Sequence, residues 1–356
     1  MRVEAWSLRA PRASFVSLAR EEAAGPGEVL VRVAGCAVQP EDVAIYHGKS
    51  SSSTRLPLTL GAEISGQVVE TGAGAECWGG QSVVIPASLP CHRCSACEAG
   101  RGQLCAAALR PGRNIHGGFA SHVRVPARSL CRVPWLGDRW KGAAPLELAH
   151  LALLSDSFAT PYQALARGGL VQGDVAVFVG MGLGAIAGIQ LAVARGAQVV
   201  AIDTDPRGLE LAQELGAALT LPESQGAGEP ASARIEAFAA GFGCPTWRIR
   251  LFETSSSDWG AKLALSLLGR GQTLVFVGRR ARHTGAVLPE LAALDAVLAG
   301  SVGCAPELYP ALLRLVLTGQ VRVAPFARIL PMDALRGTLE TADPQAHMRR
   351  AVLVPK

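Results

Sequence analysis

The chain has 356 residues, of which 49% are hydrophobic and 18% are charged, and its formal net charge is +5. This composition predicts a globular protein large enough for two domains, and it excludes an intrinsically disordered chain. Because the basic residues are scattered and no apolar stretch is long enough to span a bilayer, we expect neither a nucleic-acid-binding protein nor a membrane protein.

The N-terminal segment and the cysteine content indicate the cellular compartment. The first ten residues, MRVEAWSLRA, lack the apolar region of a secretion signal, so the cytoplasm is the expected location. Nine cysteines are present, and an odd number without a secretion signal argues against a disulfide framework. We therefore expect the cysteines to bind metal or to remain free thiols.

The N-terminal third contains short segments in which apolar and polar residues alternate. They predict strands at residues 2–8, 14–18, 28–34, 62–70, 81–85 and 120–125. Glycine and proline residues interrupt any longer pattern, so no helix of more than about two turns is expected before residue 146. Many short strands separated by turns predict a partly closed β-barrel.

Within this region four cysteines have the spacing of a metal site: Cys91, Cys94, Cys97 and Cys105. Four thiolates can surround one ion tetrahedrally and leave no open position for water, which is typical of a structural zinc site. The alternatives are an iron–sulfur cluster, disulfides or coincidence, and the spacing differs from that of ferredoxin-type clusters. His92 lies inside the motif and is not expected to be a ligand. The other cysteines are assigned to hydrophobic cores: Cys36, Cys77, Cys131, Cys244 and Cys304.

The stretch at residues 175–188, VAVFVGMGLGAIAG, joins a β-forming segment to a glycine-rich turn and a helix. Its pattern is that of a dinucleotide-binding turn: Gly180 bends the chain, Gly182 lets the backbone approach a pyrophosphate, and the small Ala185 allows close packing. Gly184 is an additional glycine. An ordinary strand–helix turn is the alternative, but the elements that follow favour nucleotide binding.

A second predicted strand, at residues 198–202, ends next to Asp203. An acidic residue at this distance from the glycines binds the adenosine ribose and repels a 2′-phosphate. We therefore expect NAD(H) to be preferred to NADP(H). Arg207 lies nearby and could tolerate a phosphate, which is the alternative.

Helices and strands alternate through the middle of the chain. Helices are predicted from residue 152 and at 163–167, 206–215, 233–240 and 258–268, the last of them capped by Asp258. Strands are predicted at 218–221, 248–252 and 273–277, and a loop at 222–232. This alternation is what a doubly wound parallel sheet requires.

The alternation ends after residue 300. A helix at 306–318, a strand at 326–330, a helix at 332–341 and a strand at 351–354 form a tail that is expected to return to the first domain. We therefore expect a catalytic domain at residues 1–152, a dinucleotide-binding domain at 153–300 and a returning segment at 301–356.

The β-barrel, the four-cysteine segment, the nucleotide-binding domain and the returning tail together resemble the medium-chain dehydrogenase/reductase family over essentially the whole chain. Within that family, 6-hydroxycyclohex-1-ene-1-carbonyl-CoA dehydrogenases are similar in GGFASHVRVPARSLC (117–131), LFETSSS (251–257) and GCAPELYPALLRLVLTGQVRVAPF (303–326). The resemblance implies an α/β protein with a GroES-like barrel and a Rossmann domain, an acyl-CoA substrate, and a homodimer or dimer of dimers. It also implies further cofactor contacts from Thr160, Leu183, Thr254, Val277 and Gly278.

Zinc alcohol dehydrogenases of this family hold a second, catalytic zinc, and the resemblance places its ligands at three positions of this chain. The cysteine of the Gly-x-Cys-His-x-Asp stretch is replaced by Gln39, and the histidine of Gly-His-Glu is replaced by Ala62. Glu63 follows Ala62, and Asp156 stands at the third position. Alanine cannot bind a metal and an amide oxygen is a poor zinc ligand, so no catalytic zinc is expected.

Loss of that metal favours one reaction class. Alcohol oxidation in this fold needs a Lewis acid, whereas hydride transfer to an activated C=C bond needs hydrogen-bond donors for the thioester oxygen. Residues 38–42, VQPED, are also similar to the Val-Asn-Pro-x-Asp stretch of zinc-free quinone and enoyl reductases. We therefore expect NADH-dependent reduction of a short, branched 2-enoyl-CoA. An alcohol or hydroxyacyl-CoA dehydrogenase with an atypical metal site and a non-catalytic NAD-binding protein remain as alternatives.

Five residues are candidates for the chemistry. Gln39 is expected to bind or position the acyl carbonyl, or else to fill the former ligand position. Glu63 and Asp156 are candidate proton donors if burial raises their pKa values, and otherwise polar groups paired to basic residues. Tyr46 and His47 are further candidates, although both residue types are more often packed, hydrogen-bonded side chains. Three arginines are expected either to meet CoA phosphates or to lie in a solvated loop: Arg279, Arg280 and Arg282.

Overall fold

The computed structural model describes residues 1–13, 15–49, 54–134, 146–223, 230–278, 288–341 and 348–356. Within these ranges the chain forms two compact units, Met1–Ala159 with Gly303–Lys356, and Thr160–Val302. The sequence placed the corresponding boundaries after residues 152 and 300. No helix in the described ranges is both long enough and apolar enough to cross a membrane.

The regular elements follow the predicted order. The strands are β1 (Arg2–Leu8), β2 (Val16–Glu21), β3 (Glu28–Ala37), β4 (Leu58–Thr59), β5 (Glu63–Thr71), β6 (Ser82–Ile85), β7 (His122–Pro126), β8 (Cys131–Val133), β9 (Val175–Val179), β10 (Gln198–Asp203), β11 (Leu219–Pro222), β12 (Ile249–Glu253), β13 (Thr273–Phe276), β14 (Val297–Gly300), β15 (Ala327–Pro331) and β16 (Arg350–Val354). The α-helices are α1 (Pro40–Tyr46), α2 (Ser95–Glu98), α3 (Ala159–Arg167), α4 (Leu183–Ala194), α5 (Pro206–Glu214), α6 (Ala231–Gly241), α7 (Asp258–Ser266), α8 (Leu288–Leu294), α9 (Tyr309–Leu317) and α10 (Leu335–Glu340).

The first unit is built on a seven-stranded sheet. Its order is β15-β16-β3-β5-β6-β8, and β7 also pairs with β3, while β2, β1 and β4 form a separate three-stranded sheet. The C-terminal tail therefore supplies two strands to the sheet of the N-terminal region. Buried side chains of these strands and of the segments between them form one core, which includes Val31, Leu60, Ile64 and Phe119. The predicted β-barrel class is confirmed.

The second unit contains six parallel strands in the order β11-β10-β9-β12-β13-β14. All five residues of β9 are buried, as expected for a parallel strand inside an α/β unit. The chain moves outward from β9 to β11 and then, in the other direction, from β12 to β14, so the strand order reverses between β9 and β12. The doubly wound parallel sheet is confirmed, but β14 and α8 were not predicted from the sequence.

Two local expectations are wrong. Ser257, and not Asp258, caps α7, because the Ser257 hydroxyl accepts a hydrogen bond from the backbone N–H of Gly260 at 3.0 Å. Cys77 is exposed rather than part of a core, whereas the other four cysteines outside the metal motif are buried. Cys77 belongs to a short surface 3₁₀ helix without buried residues, where an apolar environment is absent.

Candidate active site and metal centre

Four thiol groups lie together in the segment between β6 and β7. The sulfur atoms of Cys91, Cys94, Cys97 and Cys105 all lie within 4.8 Å of one another. The Cys94 sulfur is 3.4 Å from that of Cys97 and 3.8 Å from that of Cys105, and the Cys91 sulfur is 4.0 Å from that of Cys97. A zinc ion with four bonds of about 2.3 Å holds its sulfur ligands about 3.8 Å apart. The four side chains therefore fit one tetrahedral zinc ion.

His92 lies within the motif but outside this ligand set. Its Nε2 atom is 2.7 Å from the Ser129 hydroxyl, and its left-handed φ of 57° turns the chain between two of the cysteines. In the described part of the chain, no other group of three or more His, Cys, Asp or Glu residues brings its ligand atoms close enough for one ion. The four-cysteine segment is therefore the candidate metal centre.

A second candidate site joins side chains from three segments of the first unit. Gln39 follows β3 as the N-cap residue of α1, Glu63 begins β5, and Asp156 follows a 3₁₀ helix at Leu148–Ser155. The amide nitrogen of Gln39 donates to Glu63 Oε1 at 3.1 Å and to Asp156 Oδ2 at 2.8 Å. Three residues that the sequence placed at one site are thus in contact.

Arg113 completes this site and was not identified from the sequence. Its Nη2 donates to Gln39 Oε1 at 2.9 Å, and its Nη1 donates to Asp42 Oδ1 at 2.7 Å and to the Gly112 carbonyl at 2.8 Å. Asp42 is fully buried, and a buried carboxylate requires a charged or hydrogen-bonding partner. That requirement was the available signal, but Asp42 and Arg113 are 71 residues apart and show no local spacing. We call these five residues the Gln39 cluster: Gln39, Asp42, Glu63, Arg113 and Asp156.

These contacts fix the orientation of the Gln39 amide. A flipped amide would place its oxygen against the carboxyl groups of Glu63 and Asp156 and its NH2 group against the Arg113 guanidinium. Both exchanges replace attraction by repulsion. The amide oxygen therefore faces a cation, and the amide nitrogen faces the two carboxyl groups.

Glu63 is a buried acid in this cluster. Its Oε1 also accepts hydrogen bonds from the backbone N–H and the hydroxyl of Ser157, at 2.8 and 2.6 Å, whereas its Oε2 has no hydrogen-bond partner in the described residues. Burial and, next, the charge of Asp156 raise the pKa of Glu63 from 4.5 to about 8, against the opposing effects of Ser157 and Arg350. Glu63 is therefore mostly protonated at neutral pH.

The raised pKa of Glu63 predicts a pH dependence of stability. Because the folded protein holds this proton up to about pH 8, while the unfolded chain releases it near pH 4.5, the free energy of unfolding should fall as the pH rises between these values. Glu63→Gln keeps the shape of the side chain and removes the titration. The melting temperature of this variant relative to wild type, followed by circular dichroism, should therefore increase from about pH 5 to about pH 8. A difference that stays constant would contradict the raised pKa.

Tyr46 and His47 form their hydrogen bonds with residues outside the Gln39 cluster. The Tyr46 hydroxyl donates to Glu340 Oε1 at 2.8 Å, and Nε2 of His47 is 3.2 Å from the carbonyl oxygen of Leu339. The hydrogen bond to Glu340 raises the pKa of Tyr46. These two side chains connect α1 to α10, and the structure does not bring them into the hydrogen bonds around Gln39.

In the second unit the glycine-rich turn connects β9 to α4. Gly180 has a φ of 92°, and a Cβ atom there would lie 2.5 Å from the Cα atom of Ser255, so only glycine fits. Gly182 is the N-cap residue of α4, and Leu183 and Ala185 are buried in its first turn. The first backbone N–H groups of this helix have no acceptor within the helix and lie at the carboxyl edge of the sheet, which is suited to binding a phosphate.

Asp203 ends β10 beside this turn. Its carboxylate accepts hydrogen bonds from the backbone N–H groups of Met181 and, at 2.8 Å, of Asp205. Arg207, at the start of α5, is exposed, and its guanidinium pairs with the carboxylate of Asp205 at 2.8 Å. The residue predicted to tolerate a phosphate is therefore already bonded to a carboxylate.

Three other predicted cofactor residues lie at the carboxyl ends of β12 and β13. The Thr254 hydroxyl donates to the carbonyl oxygens of Val179 and Gly180, both at 2.9 Å. Val277 and Gly278 donate their backbone N–H groups to the carbonyl of the last residue of β12, at 3.0 and 3.1 Å. These bonds tie the ends of β9, β12 and β13 together.

The remaining predicted contacts are less informative. A Cβ atom added to Gly184 would meet nothing within 4 Å, so no steric reason requires glycine there. Thr160 lies in the first turn of α3. The three arginines proposed for CoA phosphates lie outside the described residues: Arg279, Arg280 and Arg282.

Comparison with known proteins gives two domain families. Residues 25–135 match the alcohol dehydrogenase GroES-like domain, and residues 180–318 match the zinc-binding dehydrogenase family. L-Galactonate-5-dehydrogenase of Escherichia coli K12 is 25% identical over 83% of this chain and 82% of its own length. Alcohol dehydrogenases and L-threonine 3-dehydrogenases from Geobacillus stearothermophilus, Streptomyces and Rhizobium species are 31–35% identical, but this chain spans only 54–57% of their length.

Solved structures resemble this chain along its full length. A putative zinc-binding dehydrogenase from Sinorhizobium meliloti 1021, bound to NADP, has a TM-score of 0.84 at 23% identity and covers 100% of both chains. A short chain alcohol dehydrogenase from Escherichia coli CFT073, complexed with NADH, has a TM-score of 0.83 at 19% identity and covers 99% of both chains. At such identities the likeness shows the fold, a GroES-like unit followed by a Rossmann-type unit.

Proposed function

Since its two units match the two domain families of zinc-binding alcohol dehydrogenases, this chain belongs to the medium-chain dehydrogenase/reductase family, and we propose that it reduces the C=C bond of a short 2-enoyl-CoA with NADH. The chain is an NAD(H)-dependent oxidoreductase, as its relatives named dehydrogenases support. The finer proposal, hydride transfer to the β-carbon of a branched acyl group such as 3,3-dimethylacrylyl-CoA without a catalytic zinc, is ours.

The observation that carries the proposal is the composition of the Gln39 cluster. Its position corresponds, by the family resemblance, to the catalytic zinc of alcohol dehydrogenases. The Gln39 oxygen, the metal-binding atom of that amide, accepts a hydrogen bond from cationic Arg113, and its nitrogen faces Glu63 and Asp156. Ala62 offers no ligand atom. This donor set is poorly suited to zinc, which favours a reaction that needs no Lewis acid.

Reduction of an enoyl thioester requires a hydride at the β-carbon and a proton at the α-carbon. The nicotinamide cofactor, when bound to the second unit, supplies the hydride. We assign the proton to Glu63, because its raised pKa keeps it mostly protonated at neutral pH. Because Oε1 accepts hydrogen bonds from Gln39 and Ser157, this proton lies on Oε2, which has no hydrogen-bond partner in the described residues.

Negative charge develops on the thioester oxygen as the hydride arrives, and we assign its stabilisation to Arg113. Three of the five N–H donors of this guanidinium are bonded within the described residues, to Gln39, Asp42 and Gly112. Two donors remain for an oxyanion. The Gln39 amide already donates to two carboxyl groups, so its role in this proposal is to position its neighbours rather than to bind the acyl oxygen.

The preference for NADH rests on Asp203 and Arg207. The Asp203 carboxylate beside the glycine-rich turn would accept hydrogen bonds from ribose hydroxyls and repel a 2′-phosphate. Arg207 is paired with Asp205, which weakens it as a partner for a phosphate. Related structures contain NADP in one case and NADH in another, so this preference requires its own test.

Asp203→Asn is expected to shift the preference toward NADPH. The ratio of kcat/KM for NADH to that for NADPH should fall by about tenfold or more, because the change removes the charge that repels the 2′-phosphate. Glu210→Gln removes one negative charge at an exposed position of α5, the helix that follows β10, and should leave the ratio unchanged. Equal shifts in both variants would contradict the assignment to Asp203.

We assign a structural role to the zinc ion that the four cysteines fit. Four thiolates close the coordination sphere and leave no position for water or substrate. We also propose a homodimer or dimer of dimers in the cytoplasm. Its most suitable contact is β14, an edge strand on which Val297 and Leu298 are 53% and 38% exposed.

One assay separates the proposed activity from its alternatives. NADH oxidation with 3,3-dimethylacrylyl-CoA or crotonyl-CoA, without alcohol-dependent reduction of NAD, is the expected result. Alcohol-dependent NAD reduction that is lost on chelation would instead favour an alcohol dehydrogenase, which the names of the relatives make the leading alternative. NADH binding without turnover of any acyl-CoA or alcohol would indicate a non-catalytic NAD-binding protein.

A further inference from the structure

The carboxyl ends of β9 and β12 form the point at which the order of the parallel sheet reverses. In open α/β sheets, ligands bind in the crevice outside the strand ends at such a point. The glycine-rich turn follows β9 on one side of this point. On the other side, β12 ends on Glu253, which is fully buried.

The Glu253 side chain holds the segment that follows it. Its Oε1 accepts hydrogen bonds from the backbone N–H of Ser255 at 2.8 Å, from the Ser255 hydroxyl at 2.5 Å and from the backbone N–H of Ser256 at 3.1 Å. Ser256 has a left-handed φ of 55°, which is unfavourable for a residue other than glycine and requires support from its surroundings. The buried carboxyl group supplies that support.

This segment in turn packs against the glycine-rich turn. The Cα atom of Ser255 lies 2.5 Å from the position that a Cβ atom of Gly180 would take, so the two segments of the chain are in close contact. On the other side, a Cβ atom of Gly278 would lie 2.5 Å from Glu253 Oε2 and 2.7 Å from the backbone nitrogen of Ser256. Glu253, the last residue of β12, thus lies between the ends of β9 and β13.

We propose that Glu253 is a positioning residue for the nicotinamide cofactor. It fixes Ser255 and Ser256 against the turn at Gly180. The inference rests on the proposed function, since it presumes that NADH binds at this edge. Glu253 holds the loop through these hydrogen bonds, so in this proposal it acts on affinity through the shape of the crevice. Burial raises the pKa of Glu253, which indicates that burying this carboxyl group costs free energy. Its hydrogen bonds to the loop give a reason for a carboxyl group at this position despite that cost.

The test compares NADH affinity in the full-length protein, measured by the change in NADH fluorescence. Glu253→Ala should weaken binding about tenfold or more, the effect expected when the hydrogen bonds that fix the loop are lost. Glu253→Gln keeps an oxygen acceptor for Ser255 and Ser256 and should stay within about threefold of wild type. If Glu253→Ala does not fold, Ser255→Ala removes one of the three donors and should weaken binding by a smaller factor.

Asp174 provides the matched control, because it is a buried carboxylate at the opposite end of the same sheet. It directly precedes β9 and pairs with Arg248 at 2.7 Å. Asp174→Asn should lower the melting temperature but leave NADH affinity unchanged when measured well below that temperature. Equal loss of affinity in Asp174→Asn and Glu253→Ala, or unchanged affinity in Glu253→Ala, would overturn the inference. Failure of the wild-type protein to bind NADH would overturn the proposed function itself, and the inference with it.

Discussion

Cys94→Ser is expected to release the zinc ion that the four cysteines fit and to unfold the segment that carries them. Regular structure between Cys91 and Cys105 is limited to α2, which has four residues, and a three-residue 3₁₀ turn. In this segment only Gly102 and Cys105 are buried, so apolar burial contributes little to its stability. Structural zinc contributes on the order of 10–16 kcal/mol in small zinc-binding peptides. The metal is therefore expected to supply most of the free energy that orders this segment.

Cys77→Ser is the control for this prediction. Cys77 is exposed and lies outside the four-cysteine set, so its replacement should leave zinc content and melting temperature unchanged. Zinc per chain, measured on protein purified without added metal, should be about one for wild type and Cys77→Ser and near zero for Cys94→Ser. Retention of zinc by Cys94→Ser would contradict the assignment.

The same measurement bears on the proposed reaction. About two zinc ions in the wild-type protein, one of them removed easily by a chelator with loss of activity, would indicate a metal bound by the Gln39 cluster. Such a result would favour the alcohol dehydrogenase over the enoyl reductase. It would also require the Gln39 amide to turn its oxygen away from Arg113, which a crystal structure of the metal-bound protein would reveal.

The parts of this molecule that follow from the sequence are those whose signals are local. The glycine-rich turn needs a left-handed backbone at Gly180. The strand before it is buried throughout, so five consecutive apolar residues precede the glycine pattern. The cysteine ligands lie within one short segment. In both cases the physical requirement acts between residues that are close in the chain.

The parts that did not follow depend on residues distant in sequence or on weak patterns. Arg113 meets Gln39 across 74 positions, and nothing in the spacing of either residue indicates the other. β14, with the sequence VLAG, has only four residues, and an apolar run this short does not distinguish a strand from a helix. Glu253 directly follows a predicted strand, but its role depends on Ser256 adopting a left-handed φ, which serine rarely does.

Gln39→Ala is expected to lower kcat/KM for the enoyl-CoA substrate by about a hundredfold or more. The change removes the hydrogen bonds to Glu63 and Asp156 and the acceptor that holds one side of the Arg113 guanidinium. Arg113 would then be held by Asp42 alone among its side-chain partners in the described residues. Its remaining donors would lose their fixed direction, which matters because stabilisation of an oxyanion depends on donors oriented before the reaction.

Gln39 is a better position for this test than Arg113. Arg113→Ala would leave the carboxylate of Asp42 fully buried without its cation, a change that costs about 3–5 kcal/mol and threatens folding. Gln39→Ala keeps the pair of Arg113 and Asp42 intact, so a loss of activity can be separated from a loss of structure. Circular dichroism melts of the same preparations check that separation.

Gln67→Ala is the matched control, since Gln67 in β5 also accepts a hydrogen bond from an arginine, Arg32, at 2.7 Å, but on the exposed side of the same sheet. This variant should retain wild-type kcat/KM. NADH affinity should be unchanged in both variants, because neither residue belongs to the unit that carries the nucleotide turn. Full activity of Gln39→Ala with 2-enoyl-CoA would show that the Gln39 cluster does not orient the reacting groups, even if the reaction assigned to the protein is right.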